Sequence, residues 1–157
     1  MTPADITEEL TQTGVQRGDH VGVASDPDVG LGLALDARHI GVGVDVGNPV
    51  ELLGRLDGQF GPRWVWWDRT TADVVARHAL SIDRCWDVLT VHRLLTGRWR
   101  TSIGLVWALL HGLSPETLPR MGQLGLLDEP ADEGHDPDDP VRPDGHLRPE
   151  WTAGGWH

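Results

Sequence analysis

Residues Arg63–Gly97, RWVWWDRTTADVVARHALSIDRCWDVLTVHRLLTG, decide how this chain is read. Arg63 to Trp67 is an aromatic-rich run suited to a buried strand. Thr70 and Asp73 have capping spacing for a helix with apolar residues Val74, Val75 and Ala79. Ile82 to Trp86 reads as a short strand. Asp87 is placed to cap a second helix whose stripe is Val88, Val91, His92 and Leu95, with Gly97 just past its end. The segment is therefore strand, helix, strand, aspartate-opened helix.

Working outward, residues 3–12 suit a short helix with Asp5 and Glu8 near its positive end. His20 to Ala24 is a strand candidate, and Ser25-Asp26-Pro27-Asp28 a turn. Leu31–Leu35 and Ile40–Val46 alternate with period two around Asp36–His39, which signals a hairpin. Asn48 and Pro49 open a helix with Leu52, Leu53, Leu56 and Phe60 on one face, and Gly58 placed to end it. After Gly97, Thr101 or Ser102 starts a helix through Leu110, and Ser114-Pro115-Glu116 starts a last short one. From Asp128 the chain is rich in Asp, Pro and Gly. Such a segment buries too little to offset its ordering entropy, so 128–157 is expected to be disordered and dispensable for folding. The expected organisation is a helix/linker over 1–18, an α/β domain over 19–127, and an acidic tail.

The 157 residues carry a formal charge of −11, unevenly placed. Residues 1–62 hold ten acids against three Arg, 63–120 five against eight, and 121–157 nine against two. A locally basic middle keeps nucleic acid open as a partner, which a uniformly acidic surface would not. Every basic residue is Arg, with no Lys, as a GC-rich genome would give. The single cysteine, Cys85, excludes an intrachain disulfide or a cysteine zinc cluster. No apolar run reaches transmembrane length, and MTPADITEEL has no signal-peptide pattern; a cytoplasmic protein without a membrane partner is expected.

The succession in 63–97, preceded by HVGVASDPD and the pair of strands in GLGLALDARHIGVGVDV, resembles the 3′–5′ exonuclease-like domain of DNA polymerase I relatives. It resembles in particular the actinobacterial bifunctional exonuclease/polymerases. The resemblance spans roughly Asp19 to Gly112. It implies an α/β fold of the RNase H-like, DEDD-exonuclease type: a mixed sheet with flanking helices, here incomplete at the C-terminus. It also implies a setting in DNA replication or repair. That family hydrolyses phosphodiesters with paired cations held by carboxylates.

Against the family's motifs, the first survives at most as Asp26-x-Asp28. In the second, the aspartate position falls near Thr70 or Thr71, and Asp68 lies too early. The third has no counterpart. Asp26 and Asp28 are thus the only candidate catalytic and metal-binding residues, for magnesium or manganese if the chain were active; otherwise no cofactor is expected. Asp87 corresponds to a helix-start aspartate, not a ligand.

These readings converge on a degenerate, catalytically inactive exonuclease-like domain without the polymerase that usually follows. Weak binding of single-stranded DNA would run through Arg93, Arg98, Trp99 and Arg100, where Arg interleaves with Trp. The alternatives are a protein-interaction module using a Trp-rich face or the acidic tail, and an active metal-dependent 3′–5′ exonuclease. Of the eight Trp, those at 64, 66, 67 and 86 are expected mainly in the core. Cys85 is expected to be buried and inert, and His92 a hydrogen-bonded core residue. His135, His146 and His157 match no zinc spacing, and Gly41-x-Gly43 is no dinucleotide fingerprint.

Overall fold

The computed structural model describes residues 3–26, 30–35, 38–43, 49–119 and 139–152. The chain forms two compact units, residues 1–96 and 97–157.

The first unit is built on a five-stranded mixed sheet. Its strands are β1 (His20–Asp26), β2 (Gly30–Leu35), β3 (Arg38–Gly43), β4 (Arg63–Trp66) and β5 (Cys85–Asp87), in the order β3-β2-β1-β4-β5. β1, β2 and β3 form an antiparallel meander, while β4 pairs parallel with β1 and β5 parallel with β4. Parallel pairing requires a crossover. Helix α2 (Pro49–Phe60) lies between β3 and β4, and α3 (Arg69–Arg77) between β4 and β5. Helix α1 (Pro3–Gln12) precedes the sheet, and α4 (Val88–Thr96) follows β5 directly.

The period-two pattern decides which face of the sheet is filled. Val21 and Val23, Leu31 and Leu33, and Trp64 and Trp66 are all buried. The register sets Val23 beside Leu33 and Val21 beside Trp64, so these side chains share one face. Against them pack Leu52, Leu53 and Leu56 of α2, Val75 of α3, and Ile6 and Leu10 of α1. Ile6 and Leu10, one turn apart, are 0% and 2% exposed, so the stretch expected as a helix/linker supplies part of the core. The alternate positions on β1 and β2 hold Gly22, Ala24, Gly32 and Ala34.

Helix ends follow the local chemistry. α2 runs through Gly58 and stops at Gly61, whose φ of +54° only glycine adopts freely. The Gly61 carbonyl accepts from the Gly18 N–H at 3.0 Å, and Arg63 N–H donates to the Asp19 carbonyl at 2.7 Å, setting β4 beside β1. α1 and α3 both end with an i→i−5 bond, Val15 N–H to Leu10 O and Leu80 N–H to Val75 O. That is the Schellman pattern, with a left-handed residue before the donor. At α1 that residue is Gly14; at α3 it is Ala79, the one described non-glycine residue with positive φ.

In the second unit, Ser102 caps α5 (Ile103–Leu110), its hydroxyl accepting from Leu105 N–H at 3.2 Å. α5 ends in the same pattern, with Gly112 at φ +68° and Leu113 N–H donating to Ala108 O at 2.8 Å. A 3₁₀ turn follows at Pro115–Thr117. Residues 139–152, inside the stretch expected to be disordered, are folded. Val141 and Leu147 form a β-bridge, and Pro149–Thr152 one helical turn, α6. The Trp107 indole N–H donates to the Gly145 carbonyl at 2.9 Å, and His146 is 3% exposed. Few apolar residues lie in this stretch. This turn is held by hydrogen bonds and one aromatic anchor. Residues 128–138 and 153–157 lie outside the described residues. No helix among the described residues is long and apolar enough to cross a membrane.

Candidate functional site

β1, β4 and β5 are parallel, so their carboxyl ends lie on one edge of the sheet. In open α/β sheets this is the edge where ligands bind. Each strand runs there into an aspartate: Asp26 ends β1, Asp68 follows β4, and Asp87 ends β5. A cleft of about 370 Å³ opens beside the last two, lined by Asp68, Arg69, Thr70, Asp87, Leu89, Thr90 and Arg93.

Both cleft aspartates are engaged with helix starts. Asp68 Oδ1 accepts from Thr70 N–H at 2.9 Å and caps α3, two residues earlier than the Thr70–Asp73 spacing suggests. Asp87 Oδ1 accepts from Thr90 N–H at 2.7 Å, the capping role expected for it. The two helix starts are tied together where Leu89 N–H donates to the Trp67 carbonyl at 2.9 Å. Free N–H groups at a helix start attract anions, and here a carboxylate of the chain itself meets one of them at each helix.

The residues of this cleft do not fit a paired-cation site. Hard cations need several oxygen ligands. Here each carboxylate has an oxygen bound to a backbone N–H, and the guanidinium-bearing Arg69 and Arg93 line the same cleft. Thr70 and Thr71 carry hydroxyls, so neither offers a carboxylate where the second motif of that family would require one. Among the described residues no group of three His, Cys, Asp or Glu is placed to hold a metal. Of the candidate pair, Asp26 is described in its backbone, which pairs with Gly30, and Asp28 lies outside the described residues.

The candidate nucleic-acid residues divide between the units. Arg93 sits on α4 in the first. Arg98, Trp99 and Arg100 form an exposed stretch before α5 in the second, with Trp99 80% exposed.

Three expectations need correction. Trp86 is 43% exposed on β5, a sheet edge, instead of packing in the core. The parallel register explains this: Trp86 pairs with Val65, whereas the buried indoles stand at 64 and 66. Arg63, on the same side, holds its guanidinium carbon 5.9 Å from the Trp86 ring centroid. Parity within β4 carried the signal, since Trp64 and Trp66 leave alternate partners on the other face. Cys85 is exposed, not buried. Its thiol pKa is raised, first by desolvation and then by the Asp87 charge, so it is a weaker nucleophile than a free cysteine at neutral pH. His92 is buried as expected, but its Nε2 has no hydrogen-bond partner among the described residues.

No protein-family model matches the chain, and no curated protein or solved structure matches it.

Proposed function

We propose that the chain is an RNase H-like, 3′–5′ exonuclease-like domain related to the N-terminal part of DNA polymerase I homologues. In this reading it has lost catalysis and keeps weak binding to single-stranded nucleic acid. The observation that carries the reading is the strand succession. Three meandering strands, a helix, a strand parallel to the first, a helix, a further parallel strand and an aspartate-opened helix follow one another as they do in that family. The loss of catalysis rests on the carboxyl edge. The second-motif position is a threonine, and Asp68 and Asp87 serve helix caps beside two arginines.

The test is fluorescence anisotropy with a labelled single strand, using the whole chain and the Arg98→Ala/Arg100→Ala variant. Binding should be weak and fall steeply with salt, because few phosphates are neutralised and the rest of the chain is acidic. Absence of binding to the whole chain even at low salt would refute the nucleic-acid part.

A protein-interaction module is the second reading, favoured by α4. Its Leu94 and Leu95 are 80% and 81% exposed, adjacent apolar side chains on one short helix.

A further inference from the structure

Trp86 has three properties that no other described tryptophan has together. It lies on a strand, its ring is accessible, and an arginine is seated against it. The backbone around it is fixed. Trp64, Val65 and Trp66 register with Cys85, Trp86 and Asp87, and Trp64 N–H donates to the Arg84 carbonyl at 3.0 Å. Asp87, directly after Trp86, is locked as the cap of α4. The ring is thus presented by a rigid edge. It sits on the sheet face opposite the buried Trp64 and Trp66.

One cation is seated on this ring and a second precedes it in sequence. Arg63 lies over it, and Arg84, two residues earlier, is exposed. Asp83 is the exposed acid nearby in sequence, and Asp87 has its carboxylate directed to Thr90 N–H. With Arg63 against one face of the indole, a base stacks on the opposite face while the guanidinium takes a phosphate by charge. An acidic peptide would meet the cations equally well. It would leave the accessible indole without a planar partner.

We propose that Trp86, with Arg63, is the base-stacking position of this chain for single-stranded nucleic acid. The proposal rests on the nucleic-acid reading above and adds a contact on the first unit to the Arg98–Arg100 stretch of the second. Arg63 supplies the phosphate contact and holds the indole in its orientation. Because every base has a π-face, the site takes any sequence but requires bases.

The experiment is anisotropy at low salt with two fluorescein-labelled probes, an oligothymidylate and an abasic strand of equal length. The proteins are the whole chain, Trp86→Ala, Trp86→Phe, Arg63→Ala and Arg98→Ala/Arg100→Ala. The whole chain should prefer the oligothymidylate. Trp86→Ala should lose roughly 5- to 150-fold on that probe and bind it no better than the abasic strand. Trp86→Phe, which keeps a ring and the strand, should retain most of the preference. Arg63→Ala should weaken binding to both probes and reduce the salt slope. If Trp86→Ala binds as the whole chain does while Arg98→Ala/Arg100→Ala binds worse, the Trp86 proposal fails and the broader reading stands. If the whole chain binds neither probe, both fail. If it binds both equally, backbone charge alone carries the contact and the stacking site is refuted.

Discussion

The indole N–H of Trp64, wholly buried on β4, donates to the Asp57 carboxylate on α2 at 2.8 Å. This one bond joins the crossover helix to the strand it precedes. It explains how an indole can sit at the centre of the core: its donor is satisfied by a carboxylate that itself remains half-solvated.

Asp57→Ala should therefore destabilise the first unit by about 1–3 kcal/mol, leaving a buried donor without a partner. Asp57→Asn should lose less, because its side-chain oxygen still accepts. Denaturant unfolding followed by tryptophan fluorescence checks both. Equal stability of Asp57→Ala and the parent chain would show that the bond contributes nothing.

Ala79 occupies the left-handed position that Gly14 and Gly112 fill at the ends of α1 and α5. A left-handed non-glycine residue costs about 1–2 kcal/mol, and glycine's extra unfolded-state entropy returns roughly 0.5–1 kcal/mol of that. Ala79→Gly should thus raise stability by about 0.5 kcal/mol, a small upward shift in thermal midpoint. A fall in midpoint would mean that Ala79 makes a contact outweighing its backbone strain.

Most of this fold was legible because it rests on local signals. The antiparallel pairing of β2 with β3, the capping role of Asp87 and the Ser102 start of α5 follow from short-range residue preferences. What escaped reading depended on partners distant in sequence. The exposure of Trp86 follows from its register with Val65, and burial of Ile6 and Leu10 from the docking of α1. At the candidate site, sequence alone marked Asp87 as the cap of the following helix. That Asp68 caps α3, and that Arg69 and Arg93 share a cleft with it, required the fold.

The 139–152 turn gives a third expectation. Gly145 has φ +86°, and a Cβ there would lie 3.4 Å from Leu113 Cδ2. Its carbonyl also accepts the Trp107 indole N–H. Gly145→Ala should loosen the turn by about 1–2 kcal/mol. Hydrogen exchange at the Arg142 and Arg148 amides, which donate to His146 and Pro140, should speed up accordingly. Unchanged exchange would show that the turn does not depend on this conformation.

Cys85 offers a test by pH. Its raised pKa leaves less thiolate at neutral pH than a free cysteine has. Alkylation should be slow at pH 7 and climb with pH to a higher midpoint than that of a model thiol. Asp87→Asn, which keeps a capping side chain and removes the charge, should shift that midpoint down. A midpoint at or below the ordinary cysteine value would contradict the stated causes.

The central claim is that the carboxyl edge carries no working phosphodiesterase, and a nuclease assay tests it most directly. The whole chain is incubated with a 3′-labelled single strand and magnesium or manganese, beside Asp26→Ala and Asp28→Ala. No metal-dependent release of 3′ nucleotides above a protein-free control is the predicted result. Release that requires the metal and disappears in Asp26→Ala or Asp28→Ala would contradict it.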